Sequence, residues 1–508
     1  MGDLHPTALR YFLATLLGVA IFKDRDFGAT SDGTQMKNEH SVSDTLVWYA
    51  ATPWSKERSE LTRIVRAVGR FIFLVAFMGW LSFYVYGQEL IPPQRPIERP
   101  FFGLHMHHLV VPHQTGNLSQ WPYFQFGSWR LWGAYVAWRD LEPERGQWKF
   151  DVLDRYVALA QEHGVDLLLT FGYTPKWASA RPNEICAFGT TGCAAEPLDI
   201  ADWENYVSTV AKRYKGRIKY YEIWNEPAFL ENETALRTRG LPVFYSGTVK
   251  KLVEMGNSTY RIIKQIDPDA KVVSPSIVST VDRLSTYFAA GGYNALDIVG
   301  YHFYTDQPEK ILSTVIAVKK LMAQYGIVDK PLWNTEMGFF FERPGLQILP
   351  SKPKGSFEDV LSMDTGAAYV VRSLVLAAAA GIDRFYWYDW DSERPPAELP
   401  MGLASKEGTV ADQAGTAYAT AIRWLIGATI EVCRSPNGKL WVCTLKRRTR
   451  TAWLVWSVDG PVAVTIPINI SPLYTESLGN TRSLKIQDIN DLKIGASPVL
   501  LKSDPLLW

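Results

Sequence analysis

The sequence has 508 residues, 53 Lys and Arg against 52 Asp and Glu, and 47% hydrophobic residues. The hydrophobic fraction excludes a disordered chain, and the balanced charge argues against nucleic-acid binding, which needs a basic surplus to neutralise phosphates. The length allows roughly two to four domains or one large barrel with additions. The 19 tryptophans fit either a large aromatic core or a sugar-binding cleft lined with rings.

The first predicted element in the chain is a membrane anchor at residues 64–87. Its centre, FIFLVAFMGWLSFYVY at 71–86, is apolar and, with its flanks, about long enough to span a bilayer. Several arginines precede it, and such charge stays cytoplasmic. We therefore expect residues 1–63 in the cytoplasm and the rest of the chain in the periplasm or outside the cell. A cleaved signal peptide is the alternative, although no small-x-small cleavage site follows the run.

After a Pro-rich linker at 88–99, short apolar runs alternate with amphipathic stretches up to residue 427. Helices are predicted at Val152–Glu162, Trp203–Tyr214 (with Asp202 as N-cap), Ala367–Ala380 and Gly415–Ile426. Eight strands are predicted at Phe102–His105, Ser128–Leu131, Asp166–Phe171, Lys219–Ile223, Lys271–Ser274, Asp297–His302, Pro331–Asn334 and Arg384–Tyr388. Such alternation predicts an α/β fold, a (β/α)8 TIM barrel at 100–427.

A different pattern follows the barrel. Gly438–Leu445, Thr451–Val458 and Val462–Ile468 are predicted as short strands separated by turn signals. We expect residues 428–508 to form a small β-sandwich packed on the barrel.

The four cysteines fall into two local pairs. Cys186 and Cys193 share one loop, and Cys433 and Cys443 flank a turn on facing arms of a predicted hairpin. An even count in local pairs predicts two disulfides and an oxidising compartment. A zinc site is not expected, because neither spacing is that of a zinc knuckle.

Two of the predicted barrel strands end in glutamates. The fourth strand runs into WNEP, with Asn225 and Glu226 at its tip, and the seventh ends in WNTEM with Glu336. Reacting groups of such barrels lie at the carboxyl ends of the strands. Two carboxylates that converge there are what glycosidic bond cleavage needs: one protonated to donate to the leaving oxygen, one ionised to attack the anomeric carbon.

WNEP, the strand-seven glutamate and the segment SWRLWGAYVAWRDLEPERGQWKFDVLDRYV at 128–157 resemble glycoside hydrolases of clan A, nearest to the family 39-like enzymes. The resemblance covers most of residues 100–427. It implies that Glu226 is the acid/base, that Glu336 is the nucleophile and that the configuration is retained. It also implies that Asn225 binds the sugar 2-hydroxyl.

The same resemblance implies further substrate-binding residues. His302 and Tyr304 on the sixth strand would lie in the site, with Tyr304 near the nucleophile, and Arg130 would help to keep Glu336 ionised. Aromatic and rim positions follow after the third and eighth strands: Trp387 as a sugar-stacking platform, Asp389 and Trp390 at the rim, and Trp177 beside a subsite.

The cluster HMHH at the end of the first strand supports a rival class, a metal-dependent amidohydrolase. Such a site needs further ligands from later strands, and the fifth strand (KVVSPS) offers neither Lys nor His. We therefore predict no metal and no cofactor, and expect His105 or His107 to contact a sugar hydroxyl. A carbohydrate-binding barrel without catalysis is a third hypothesis, which the presence of both glutamates disfavours.

These features predict a membrane-anchored retaining glycosidase whose substrate is a surface or exported polysaccharide. The resemblance favours an endo-acting enzyme of an exopolysaccharide or biofilm matrix, with exopolysaccharide assembly machinery as a partner. An exo-acting β-xylosidase-like enzyme on small oligosaccharides is the alternative. An open groove would favour the former and a closed pocket the latter.

Overall fold

The computed structural model describes residues 88–112, 119–187, 190–229, 243–342, 359–391, 400–405, 408–463, 473–478, 480–484 and 492–502. The predicted anchor at 64–87 and the segment before it lie outside these residues. None of the helices in the described part of the chain is long and apolar enough to cross a bilayer.

Eight parallel strands form a barrel, in agreement with the predicted fold class. The chain first makes β1 (Gln88–Leu90), which belongs to another sheet. The barrel strands are β2 (Phe102–His105), β3 (Ser128–Leu131), β4 (Asp166–Phe171), β5 (Tyr220–Ile223), β6 (Lys271–Val273), β7 (Val299–His302), β8 (Leu332–Met337) and, after the short paired strands β9 (Phe340–Phe341) and β10 (Val360–Leu361), β11 (Arg384–Trp387).

Their order is β6-β5-β4-β3-β2-β11-β8-β7. Isolated parallel bridges, Val273 to Ile298 and Ile277 to Tyr301, join the two edges. All the carboxyl ends therefore point to one end of the barrel, which we call the mouth, and all the amino ends to the other, the base.

Helices connect most of the strands. They are α1 (Trp138–Leu141), α2 (Asp151–His163), α3 (Ile200–Arg213), α4 (Val249–Ile266), α5 (Val281–Ala289), α6 (Ile311–Gln324), α7 (Met363–Ala379) and α8 (Gln413–Leu425), with short 3-10 helices at Arg99–Phe101, Gly292–Asn294 and Pro308–Lys310. Helix α2 is followed by Gly164, whose left-handed φ of 61° suits a residue without a side chain.

The predicted N-cap of α3 was wrong by three residues. The Asp199 side chain accepts from the Ala201 N–H at 2.9 Å, and Asp202 lies in the first turn, where it pairs with Arg145. Both positions favour an acid at a helix N-terminus, so sequence alone does not distinguish them.

The barrel base is filled by aromatic side chains around a buried arginine. Arg384, the first residue of β11, stacks its guanidinium over Tyr220 and Trp333, at 4.3 and 4.5 Å from the ring centroids. It also donates to Asp166 at 2.7 Å and to the Tyr220 hydroxyl at 2.9 Å. This arrangement ties the amino ends of β4, β5, β8 and β11 together.

The C-terminal region forms one seven-stranded antiparallel sheet of order β1-β12-β13-β14-β19-β16-β17, with a separate two-stranded ribbon, β15 and β18. The new strands are β12 (Thr429–Ser435), β13 (Leu440–Arg447), β14 (Arg450–Ser457), β15 (Val462–Ala463), β16 (Leu473–Ser477), β17 (Asn480–Leu484), β18 (Lys493–Ile494) and β19 (Val499–Lys502). A β-sandwich at 428–508 therefore stays a prediction. Within the predicted linker, residues 88–90 pair with 433–435 of β12.

The two faces of this sheet have different partners. In β14, Leu454 and Trp456 belong to the core shared with the barrel, whereas Val455 packs with Ile494 of the ribbon. This alternation follows the two-residue period of a strand. The Trp456 indole N–H donates to Glu309 at 2.9 Å, and Glu309 also pairs with the buried Arg372 of α7, so the sheet is fixed to the barrel.

Both predicted disulfides are confirmed. Cys186 bonds to Cys193 in the loop between β4 and α3, and Cys433 bonds to Cys443 across β12 and β13, where the two residues face each other. No cysteine remains free.

Candidate active site

Glu226 and Glu336 meet at the barrel mouth. Glu226 follows β5, with a left-handed φ of 42°, and its N–H donates to the Ser276 carbonyl at 2.9 Å. Glu336 lies within β8 and is buried. One carboxylate oxygen of each, together with a ring nitrogen of His302, fall within 4.8 Å of one another.

Arg130 connects this pair to neighbouring side chains. Its guanidinium is buried and donates to three different partners: Glu222 at 2.7 Å, Glu336 at 2.8 Å and the Asn225 side-chain oxygen at 2.7 Å. The predicted proximity of Arg130 to Glu336 is therefore present. Asn225 lies beside Glu226, held by the same arginine.

His302 and Tyr304 also reach the two glutamates. The His302 Nδ1 atom is 2.8 Å from Glu226 Oε1 and 3.8 Å from Glu336 Oε1. The Tyr304 hydroxyl donates to Glu336 Oε1 at 3.0 Å. Glu336 thus accepts from two donors, Arg130 and Tyr304, both of which stabilise its ionised form.

Burial shapes the charge states of these groups. It raises the pKa of Glu226 to about 7, although Arg130 and Arg283 oppose the shift. Burial also raises the pKa of Glu336, with a contribution from the charge of Glu226, whereas His302, Arg130 and the Tyr304 hydrogen bond lower it. Arg130 and Tyr304 stabilise the ionised form of Glu336. We therefore assign the proton near neutral pH to Glu226. Burial lowers the pKa of His302 to about 4, so this ring is neutral near pH 7.

His105 ends β2 and His107 follows it, and both lie near the two glutamates. Their ring nitrogens do not converge on one point. His105 is fully buried, and its Nε2 atom, 3.0 Å from the Thr335 carbonyl, must donate. The His107 Nδ1 atom lies 2.9 Å from Asp389. Burial lowers the pKa of His107, but the hydrogen bond to Asp389 and the charges of Asp389 and Asp391 outweigh it and raise this pKa overall.

Several predicted substrate contacts are corrected. Trp387 is fully buried, between Phe341 and Phe385 on the outer face of the barrel, so it is not a sugar platform. Side chains alternate along a strand, and the next residue, Tyr388, carries its ring to the mouth, 5.1 Å from the His105 ring centroid. The prediction was one residue out of register.

The expected rim residues are also buried. Asp389 bonds to His107 instead of facing solvent, and the Trp390 indole N–H donates to the Gln120 carbonyl at 2.9 Å. Trp177 is partly buried: its N–H donates to the Glu142 carbonyl at 2.9 Å and its ring lies under Arg145. Asp389 and Trp390 are therefore not rim residues, and a subsite role for Trp177 stays a prediction.

Two groups among the described residues bring three metal-ligand atoms within 4.8 Å: Glu226, His302 and Glu336, and His107, Asp389 and Asp391. The first is the carboxylate pair itself. In the second, Asp391 accepts from the backbone N–H groups of His107 and His108, so these oxygens already have protein donors. His105 belongs to neither group.

Sequence reasoning missed Glu222 and Tyr388. Glu222 lies inside β5 in YYEIW, where a charged residue flanked by apolar ones breaks the pattern of a buried strand. That anomaly was a usable signal. Tyr388 offered none, because the register of β11 decides which aromatic residue of YWYDW faces the mouth.

A sequence family model matches part of the barrel. The family model for glycosyl hydrolase family 10 matches residues 133–274, which include Asn225 and Glu226 but not Glu336. Over 131 residues the chain is 30% identical to endo-1,4-beta-xylanase 2 of Claviceps purpurea, a match that covers 26% of this chain and 35% of that protein. The chain spans about a third of the length of the curated relatives it matches.

Solved structures extend the likeness at the level of the fold. A family 39 glycoside hydrolase from Bacteroides cellulosilyticus WH2 superposes with a TM-score of 0.59 at 18% identity, covering 81% of each chain. A family 30 endoxylanase from Clostridium papyrosolvens C71 gives 0.51 at 12% identity, covering 82% of this chain and 99% of that one. At these identities the matches show the fold alone, and they agree with the predicted barrel.

Proposed function

We propose that the protein is a retaining glycoside hydrolase that cleaves O-glycosidic bonds of a polysaccharide by double displacement. The observation that carries the proposal is the pair of glutamate oxygens within 4.8 Å at the mouth. Retaining enzymes hold their carboxyl groups roughly 5–5.5 Å apart, whereas inverting enzymes leave about 6.5–9.5 Å for a water molecule.

The first step needs a charged nucleophile and a protonated acid. Glu336, held by Arg130 and Tyr304, attacks the anomeric carbon, while Glu226 donates its proton to the leaving oxygen. A pKa of about 7 suits Glu226, since an acid must hold its proton near neutral pH and yet release it readily. The first step yields a glycosyl ester on Glu336 and a free alcohol.

The second step reverses these roles. Glu226, now ionised, takes a proton from water, and the resulting hydroxide attacks the anomeric carbon and releases Glu336 as a carboxylate. His302 is bonded to Glu226 Oε1 and orients this carboxyl group. Because its ring is neutral, it adds no positive charge beside Glu336. Asn225, fixed by Arg130, presents its amide N–H groups for a sugar hydroxyl.

The substrate proposal is a surface or exported polysaccharide, cleaved internally, with exopolysaccharide or biofilm matrix as the first choice. The endo-xylanase names of the matched relatives support a polymer over a small glycoside. Digestion of a panel that includes xylan, bacterial exopolysaccharides and aryl β-xylosides tests this. A ladder of intermediate fragments supports endo action, and release of single sugars alone supports the exo-acting alternative.

We also propose that residues 64–87 tether the protein to a membrane, with the barrel in the periplasm or outside the cell. The apolar run at 71–86 and the two disulfides, which persist in oxidising compartments, support this. Reporter fusions at residues 60 and 95 test it. A cytoplasmic signal from the second fusion would contradict the proposed topology.

A further inference from the structure

Glu222 is a fully buried acid below the carboxylate pair, and the reaction steps above do not use it. It lies on β5 four residues before Glu226. Its Oε2 atom accepts from the Arg130 Nε–H at 2.7 Å and from the Thr170 hydroxyl at 2.5 Å, and its Oε1 accepts from Ser276. Donors from β3, β4 and the segment after β6 therefore fix this carboxylate on several sides.

The contact with Arg130 restricts the guanidinium. A guanidinium is a rigid planar fork, so one bound edge sets the direction of its other N–H groups. With Nε bound to Glu222, Nη1 donates to Glu336 and Nη2 to Asn225. Each outer contact joins the arginine to a residue assigned to catalysis or to sugar binding.

Glu222 also balances charge. Arg130 is buried among ionisable groups, and its positive charge favours the ionised forms of both Glu226 and Glu336. The first reaction step needs Glu336 in its ionised form, because it attacks, and Glu226 in its protonated form, because it is the acid. The carboxylate of Glu222, bonded to the guanidinium, offsets part of its positive charge. Arg130 therefore lowers the pKa of Glu226 less than it would alone.

We propose that Glu222 is a positioning residue, which fixes the Arg130 guanidinium between Glu336 and Asn225 and offsets its charge. This rests on the proposed function, because the partners of Arg130 matter only if the glutamate pair is catalytic. The ionisable groups whose charges interact with Arg130 or Glu222 are His105, Glu226, His302 and Glu336. Tyr304 donates to Glu336 Oε1.

The test compares Glu222→Gln with Glu142→Gln in the full chain. Glu142 is also buried, and it accepts from the Trp138 indole N–H at 2.9 Å and the Gly146 N–H at 2.8 Å, so it controls for the loss of a buried, hydrogen-bonded carboxylate. The readouts are kcat and kcat/KM from pH 4 to 9 on the best glycan of the panel, and the melting temperature.

For Glu222→Gln we expect kcat to fall by about 10- to 100-fold, because the Arg130 fork loses its fixed direction. The alkaline limb of kcat/KM should move down by about one pH unit, because uncompensated Arg130 ionises Glu226 more readily. Glu142→Gln should lower the melting temperature and leave the limb in place. A Glu222→Gln enzyme that loses stability but keeps the wild-type limb would overturn the proposal.

Glu222→Asp covers the case in which the glutamine variant does not fold. It keeps the charge but shortens the side chain, so kcat should fall while the alkaline limb stays within about 0.3 pH units of wild type. Wild-type kcat in this variant would also overturn the proposal.

A readout without catalysis separates this proposal from the function. Ionised Glu226 opposes folding above its unfolded pKa, so the melting temperature of Glu226→Gln minus that of wild type should rise with pH up to about 7. With Glu222→Gln added to both proteins, the rise should be smaller and end at lower pH; an unchanged rise would reject Glu222. If wild type cleaves no glycan, the proposed function fails, but this comparison still decides on Glu222.

Discussion

The mouth and the base of the barrel each contain a buried arginine, and the two are used differently. At the base, Arg384 spreads its guanidinium over two aromatic rings and meets one carboxylate, Asp166. At the mouth, Arg130 stacks on none of the aromatic rings in the described part of the chain and directs its donors to two carboxylates and an amide. The base arrangement joins strand ends, and the mouth arrangement orients the side chains of Glu336 and Asn225.

The difference shows how one fold separates stability from chemistry. Aromatic faces satisfy a cation without a fixed partner geometry, whereas a carboxylate bonded to one edge of a guanidinium is held in direction. Burial at the mouth leaves two acids with raised pKa values side by side, a costly arrangement that favours a functional role.

The largest effect should come from the carboxylates themselves. Glu336→Gln removes the nucleophile and should lower kcat by about 10⁴-fold or more, while the melting temperature is kept or raised because a buried charge is lost. Glu226→Gln should cost about 10²–10⁴-fold on natural glycans.

Substrates with good leaving groups provide the control for this prediction. They need no acid for the first step, so azide should restore turnover by Glu226→Ala but not by Glu336→Gln. Substantial activity in both variants would reject the site.

The two arginines give the next largest effect. Arg130→Lys keeps the charge but cannot reach three partners, so kcat should fall by about 10²-fold. Arg384→Lys should lower the melting temperature by several degrees and leave kcat within about twofold, because its partners lie at the base. Equal losses of kcat in both variants would contradict the division between mouth and base.

The pH profile should show a smaller and graded effect. Because Glu226 must be protonated and burial raises its pKa to about 7, kcat/KM should fall about tenfold per unit above pH 7. The acidic limb should lie above the ordinary glutamate value, since the pKa of Glu336 is also raised. A profile that stays flat to pH 9 would show that Glu226 is not the acid.

The smallest effect concerns the disulfides. Cys186 and Cys193 pack with Trp132 and Tyr173, and the charges of both glutamates act on Tyr173. Replacing both cysteines by serine should raise KM a few-fold, because Trp132 and Tyr173 are then held less firmly beside the glutamates.

The pair Cys433 and Cys443 in the C-terminal sheet is the matched control. Both closures are short, and each contributes about 2–3 kcal/mol by loop entropy, so its loss should lower stability similarly but leave KM unchanged. A raised KM in both double variants would show a general loosening of the protein.

Much of the barrel could be predicted because its strands are apolar runs bounded by polar residues. β2, β3 and β4 have the predicted bounds, and Glu226 and Glu336 lie where strand ends place them. The seven-stranded sheet could not be predicted in full, because β1 joins it from more than 300 residues upstream. Residues 88–99 were predicted as a linker because local sequence does not reveal strand pairing over such a distance.

The error at Trp387 has a physical cause in the register of one strand. Trp387 and Tyr388 are both aromatic, and only the register of β11 decides which one faces outward and which one the mouth. Glu222 shows the converse, since its buried charge was visible in the sequence but its partner Arg130 lies 92 residues away.

The anomeric configuration of the first product tests the central claim most directly. Proton NMR of wild-type digestion in its first minutes should show the sugar released with the configuration of the bond that was cut, followed by slow mutarotation. Such retention follows from two carboxylates too close to admit a water molecule between them and the sugar. Initial release of the opposite anomer would contradict the assignment of Glu336 as nucleophile and of Glu226 as acid/base.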